Sequence, residues 1–229
     1  MTQLNEILSR LDHWRNFPNF QLERHVDVFI SFYLKEILAG HYNKNKDEIG
    51  DCIIPEFPIN ISGEYDHVDF AVPSTDLLTV YFIELKTDVA SRRRSQDKLM
   101  EDVSGMNFQK LLSGLIDKAV RTKNFQSKYA TLLLTLEQVG YINVPKEFWK
   151  LDFMNSPYGY KKLVRGIEIA PIISAIKLIF IQPSNDNKVK GVESISLSEC
   201  SSIINKTNDP MSTLLSELLV KWSQKPGLI

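Results

Sequence analysis

The sequence predicts a single α/β domain in which a mixed sheet is flanked by helices. Three observations carry this reading. Apolar residues recur at helical spacing toward both ends of the chain, and they alternate singly between residues 66 and 72. The segment order is helix, helix, strand, hairpin, long helix, strand, strand and helix, which suits one layered sheet. With 229 residues, of which 43% are apolar and 24% charged, the chain can bury one sizeable core, and 10 Gly with 10 Pro are too few for a collagenous or disordered polymer.

Leu4, Ile7, Leu8, Leu11 and Trp14 mark the first helix. Pro18 interrupts, and Leu22, Val26, Phe29, Ile30, Tyr33, Leu34 and Ile37 form one second stripe that Gly40 closes. Residues 41–50 are polar and read as a loop. The run 53–59 follows, with Pro55 and Pro58 suiting an edge strand. Val68, Phe70 and Val72 alternate with His67, Asp69 and Ala71, and 78–87 supplies the next strand; Pro73, Ser74, Thr75 and Asp76 between them predict an antiparallel hairpin. From residue 91 the period returns to that of helices, with Leu99, Val103 and Met106, then Leu111, Leu112, Leu115, Ile116 and Ala119, broken near Gly105. The apolar run 129–136 fits a buried strand or a helix, and the segment order takes it as a strand. Residues 141–165 have weak periodicity and are not assigned. Residues 172–182 read as a buried strand ended by the turn residues 183–187, and 211–222 as a helix started by Asp209 and Pro210.

Cys52 and Cys200 lie far apart with no Cys or His at ligand spacing, which excludes a disulfide scaffold and a structural zinc site and fits a reducing cytoplasm. The best apolar run, 170–181, is shorter than the roughly 18 residues of a span and is broken by Ser174 and Lys177. Residues 1–15 mix Asn, Glu, Arg and Asp among leucines, unlike a secretory signal. The expectation is an unprocessed, soluble cytoplasmic protein without a membrane partner. The net charge of −1 conceals an asymmetry: residues 1–90 hold 7 basic and 15 acidic side chains, 91–165 hold 14 and 7, and 166–229 hold 6 and 6. A basic middle suits a polyanion, or simply a solvated helix face.

The chemistry concentrates in Tyr81-Phe82-Ile83-Glu84-Leu85-Lys86-Thr87-Asp88. On a strand Glu84 and Lys86 share one face, behind Val80 and Phe82, so both charges sit at the margin of an apolar surface, where they are costly to bury unless paired or metal-bound. With the hairpin turn centred between Thr75 and Asp76, Asp69 falls opposite Phe82 and diagonal to Glu84 on that face. A register shifted by one residue sends Asp69 to the other side. Two carboxylates can hold Mg²⁺ and leave room for water and a phosphate oxygen, and Lys86 can position or help deprotonate the water and stabilise developing charge.

Asp69, fourteen intervening residues and then Glu84-Leu85-Lys86 resembles the signature of the PD-(D/E)XK nuclease superfamily, and Glu84 to Asp88 with Ser91, Arg92, Arg93 and Gln96 is similar to a largely uncharacterised bacterial subgroup. Val68 stands where the signature has proline. The resemblance implies a restriction-endonuclease-like core of helix, three-stranded meander, helix and strand over about residues 20–136, with added helices and a C-terminal strand and helix, 170–223, packed on it. It implies Asp69, Glu84 and the Leu85 carbonyl as metal ligands, Lys86 as the catalytic lysine, and Mg²⁺, with Mn²⁺ as substitute, as cofactor. Members often add a glutamate from the first core helix. Glu23, about 60° from the apolar stripe by the 100° helical step, is closer to it than Asp27 or Glu36. A polar residue after the motif matches Gln96, with Gln109 second.

Arg92, Arg93, Arg94 and Lys98, on the helix that leaves the active strand, are candidates for phosphate contact, or for a solvated helix start capped by Ser91. Lys161, Lys162 and Arg165 beside Tyr158 and Tyr160 make a weaker second strip. His67 falls on the face of Asp69 and is read as structural or solvent-facing before anything else. The expected function is metal-dependent hydrolysis of nucleic acid, DNA foremost, by an endonuclease. The alternative is a nucleic-acid-binding or regulatory protein of the same fold without turnover. Cleaving both strands with one site per chain requires two chains or two events, so a homodimer is among the expectations.

Overall fold

The computed structural model describes residues 3–61, 64–88, 92–150, 157–185 and 189–224. A five-stranded mixed sheet divides the chain into layers. Its strands are β1 (Ile54–Ile61), β2 (Glu64–Pro73), β3 (Thr79–Leu85), β6 (Ala175–Gln182) and β7 (Val192–Ser196), in that spatial order; β4 (Ile142–Asn143) and β5 (Glu168–Ile169) form a separate two-stranded sheet. The pairs β1·β2 and β2·β3 are antiparallel, whereas β3·β6 and β6·β7 are parallel. As expected, β1 with its prolines is an edge strand, where a missing N–H costs least.

One face of the sheet is covered by α4 (Arg94–Val103), α5 (Phe108–Arg121), α6 (Gln126–Val139) and α7 (Pro157–Arg165), packed on Phe57, Val80, Phe82, Leu178 and Phe180. The other is covered by α1 (Gln3–Trp14), α2 (Glu23–Ser31), α3 (Leu34–His41), α8 (Leu197–Ile204) and α9 (Pro210–Ser223), packed on Phe70, Tyr81, Ile83, Leu85, Ile179 and Ile181. The alternation of β3 between Val80 and Phe82 on one side and Tyr81, Ile83 and Leu85 on the other is thus the sequence pattern made solid. Among the described residues no helix is long and apolar enough to cross a membrane.

Three expectations are corrected, and one region that the sequence left unread is filled. Residues 126–139 are helix, not strand, and the strand beside β3 is β6, so the sheet draws on residues well past 136 and the long stretch between β3 and β6 is a crossover of helices. The second stripe is two helices, parted at Phe32 and Tyr33, where Tyr33 leaves helical geometry and its hydroxyl donates to Asp209 at 2.9 Å. The strand β7 and helix α8 had no strong periodic signal. The hairpin turn is centred one residue later than expected, which moves each cross-strand partner by two: the Ser74 N–H donates to the Thr79 carbonyl, the Asp76 carboxylate accepts from Ser74 and Leu78, and Leu77 takes a left-handed φ of 61° without a glycine. The start of α9 is as expected, with the Asp209 side chain accepting from the N–H groups of Met211 and Ser212.

Helix α5 approaches β1 closely at Gly114, whose carbonyl accepts from the Asn60 side chain at 3.1 Å, and a Cβ there would lie 2.8 Å from the Asn60 carbonyl oxygen. Gly114→Ala is expected to cost roughly 1–3 kcal/mol through this overlap, despite the better helix propensity of alanine, read as a lower urea midpoint. An unchanged or raised midpoint contradicts the close packing.

Candidate active site

In the β2·β3 ladder Phe70 faces Ile83 and Pro73 faces Val80. One further step sets Asp69 directly against Glu84 rather than diagonal to it; the shift from the expected register is even, so both stay on one face. The paired ladder ends at Phe70 and Ile83, so Asp69 and Glu84 lie just past its last pair, close enough for Asp69 to repel the Glu84 carboxylate. Past this point the two strands part. The Leu85 N–H, which a continuing ladder would direct to β2 backbone, donates instead to Asp69 Oδ2 at 2.6 Å, and the Leu85 carbonyl lies on the same edge of β3.

Glu84 and Lys86 are 3% and 4% exposed. Lys86 Nζ donates to Glu84 Oε1 at 2.7 Å, and the Gln96 side-chain amide donates to the same oxygen. Gln96 Oε1 accepts from the Arg93 N–H, so the first turn of α4 is fastened to the Glu84 carboxylate. Burial, then repulsion from Asp69, push the Glu84 carboxyl up to about 7 against the opposing pull of Lys86. Burial also raises Asp69, against the lowering effect of the Leu85 N–H and Lys86.

A cleft of about 550 Å³ opens over this cluster, lined by Glu23, Asp69, Lys86, Arg93 and Gln96 among others. Glu23 opens α2, and its Oε2 accepts from the Thr87 hydroxyl at 3.1 Å, which ties the helix to the end of β3. The first turns of α2 and α4 both border the cleft, but the N–H groups of Arg24, His25 and Val26 already donate to the Gln21 and Leu22 carbonyls, so the pull of α2 on an anion is that of its dipole.

The basic tract divides. Arg93 lines the cleft, but Arg92 does not: its Nε donates to Asp97 at 2.7 Å and its guanidinium sits 4.5 Å from the centre of the Phe180 ring, a structural use of the charge. Arg94 and Lys98 border a different depression beside Val189. Ser91 lies outside the described residues. Gln109 is far from the carboxylates in role, accepting from the Ser174 N–H. In the second strip Tyr160 is fully buried in the core, so its ring is not a stacking platform, while Tyr158 is exposed.

The cleft also holds Glu56 and His67, joined at 2.8 Å. Glu56 has a left-handed φ of 49°, and here β1 changes face, since Ile54 and Phe57, three residues apart, join the same core layer. The β1·β2 register steps from Pro55 with Phe70 to Phe57 with Val68 and skips Glu56 and Asp69, yet the Glu56 charge still acts on Asp69 and that of Asp69 on Glu84, so three successive strands each bring one carboxylate here. The proline-flanked charge of Glu56 on an apolar edge strand was the available sequence signal, but only the fold places it.

Among the described residues no group of three or more His, Cys, Asp or Glu is spaced to hold a metal ion. Mg²⁺ does not require one, because it keeps several waters and is commonly held by one or two carboxylates together with substrate oxygens. Two carboxylates that repel one another in a buried setting, with a backbone carbonyl on the same strand edge, fit such an ion. No protein-family model, curated protein or solved structure matches the chain.

Because Glu84 binds its proton more tightly folded than unfolded, the native state carries extra proton between pH 4.5 and about 7, and stability falls as pH rises through that window. In buffer with a chelator, the thermal midpoint of the native protein is expected to fall relative to that of Glu84→Gln between these pH values. Parallel curves contradict the raised carboxyl.

Proposed function

We propose that the chain is a metal-dependent nuclease that hydrolyses phosphodiester bonds of DNA on a restriction-endonuclease-like core. The observation that carries this reading is the side-by-side placement of Asp69 and Glu84, with Lys86 bonded to Glu84, beneath a cleft bordered by two helix N-termini. The sheet supports it as well: the antiparallel meander β1, β2, β3 is followed by helices and by β6 parallel to β3, which takes the place expected of 129–136.

In this reading Asp69, Glu84 and the Leu85 carbonyl hold Mg²⁺, or Mn²⁺ in its place, which when bound polarises a phosphoryl oxygen and acidifies a water. Lys86 and Gln96 fix the orientation of the Glu84 carboxylate. The Lys86 ammonium borders the cleft with its charge desolvated, so it stabilises negative charge growing on the phosphoryl group and orients the attacking water through Nζ. Glu23, held by Thr87, faces the cleft from the other helix layer and completes its acidic wall. Arg93 and the first-turn N–H groups of α4 receive a neighbouring phosphate, a contact that positions the strand without reading its sequence.

One observation favours a second reading. The Lys86 to Glu84 ion pair already neutralises the buried carboxylate internally, as in a nucleic-acid-binding domain without turnover. The test separates the two. With Mg²⁺, plasmid and single-stranded DNA are expected to be cleaved by the native protein, and Glu84→Ala, Asp69→Ala and Lys86→Ala are each expected to lose roughly 10²–10³-fold in rate. DNA bound but cut by none of them supports the binding domain, and equal cleavage by all points to another source of activity.

A further inference from the structure

Beside the carboxylate cleft, and sharing Glu56 with it, lies a second groove of about 410 Å³ at the outer edge of β1. Pro55, Pro58, Phe125, Tyr129 and Leu132 line it, and Lys128 stands 5.3 Å from the centre of the Phe125 ring. Phe125 is the residue that precedes α6. It takes a left-handed φ of 64°, and it is 64% exposed.

This placement is doubly unfavourable for the fold. Left-handed backbone strains a non-glycine residue, and the position before a helix is best filled by Ser, Thr, Asp or Asn, whose side chains accept the first N–H groups. Phe125 makes no such bond, and its ring gains little burial. The same left-handed φ at Leu77 serves a turn, so it is the exposed ring at the lip of the groove, not the backbone alone, that points to a ligand.

The surroundings say which ligand. Between residues 118 and 128 the chain has four basic residues, Lys118, Arg121, Lys123 and Lys128, and no acidic one. An exposed aromatic ring inside a basic stretch, at the lip of an apolar slot, is suited to the π-face of a base whose backbone is a polyanion. In a duplex that face is covered by neighbouring bases, so the base must be unpaired.

We propose that this groove is a subsite for an unpaired nucleobase of the strand whose phosphate lies at Asp69 and Glu84, with Phe125 as the stacking platform and Lys128 as a backbone contact. The proposal rests on the nuclease reading for its direction along the strand, and it adds a preference for single-stranded nucleic acid or for flaps and junctions with single-stranded arms.

The test uses fluorescein-labelled oligothymidylate, a duplex of equal length and an abasic strand of equal length, with anisotropy measured in chelator so that no cleavage occurs. The native protein is expected to bind oligothymidylate more tightly than the duplex. Phe125→Asn, which suits both the left-handed backbone and the helix start, is expected to weaken oligothymidylate binding about ten- to hundred-fold, the range of base stacking on an aromatic side chain, without lowering the thermal midpoint. It should leave binding of the abasic strand unchanged. Lys128→Ala should weaken every strand and reduce the salt slope by about one. Undiminished oligothymidylate binding by Phe125→Asn, or equal losses for oligothymidylate and the abasic strand, overturns the subsite. So does a loss of binding that tracks a loss of stability, or self-association abolished by the variant with no oligonucleotide bound. Cleavage is read separately: oligothymidylate bound through Phe125 but uncut with Mg²⁺ leaves the subsite standing and removes the nuclease, whereas cleavage lost with Glu84→Gln and untouched binding by Phe125→Asn does the reverse.

Discussion

Two carboxylates held face to face in a half-closed site are the constraint around which the rest of this molecule is arranged. Asp69 and Glu84 stand just past the last β2·β3 pair, at the point where β2 leaves β3. Left alone, such a pair is unstable, since burial and mutual repulsion both favour protonation. The surrounding groups offset this only in part. Lys86 and Gln96 bond to Glu84, the Leu85 N–H bonds to Asp69, and the Glu84 carboxyl is still pushed up to about 7. What remains is a deficit of positive charge at a defined spot.

The architecture serves that spot from both sides of the sheet. One layer delivers the first turn of α4, which fastens to Glu84 through Gln96. The other delivers the first turn of α2, which fastens to the end of β3 through Glu23 and Thr87. The core residues Val80, Phe82, Tyr81 and Ile83 fix β3 between these layers, and β6 clamps its far edge in parallel. Glu56, Asp69 and Glu84 come from three successive strands, and Glu56 lines both the cleft and the separate groove beside Phe125.

Much of this was legible from residue pattern, because alternation along a strand and turn residues between strands are local properties. The faces of β3, the edge role of β1 and the cap of α9 follow from such local patterns; β2 departs from its pattern, since Val68 joins one core layer and Phe70 and Val72 the other, and Glu23 was reached through the family resemblance. The register did not, because Leu77 adopts a left-handed turn conformation that nothing in its chemistry announces. The pairing of β3 with β6 was equally hidden, being a contact between segments some ninety residues apart in the chain. The run 129–136 is apolar on more than one side because α6 is packed within its layer, and that erased the period separating helix from strand. Arg92 shows the same limit at one residue: its neighbours in sequence suggest a phosphate contact, but Phe180 and Asp97, far and near in the chain, claim its charge.

The most direct test of this account is a crystal structure of the protein grown with Mn²⁺ and recorded at a wavelength that reveals its anomalous signal. The account requires an anomalous peak between the carboxylates of Asp69 and Glu84, with Lys86 drawn off the oxygen that meets the ion. A saturating Mn²⁺ concentration that leaves this position without signal, and Lys86 still bonded to Glu84, would contradict it.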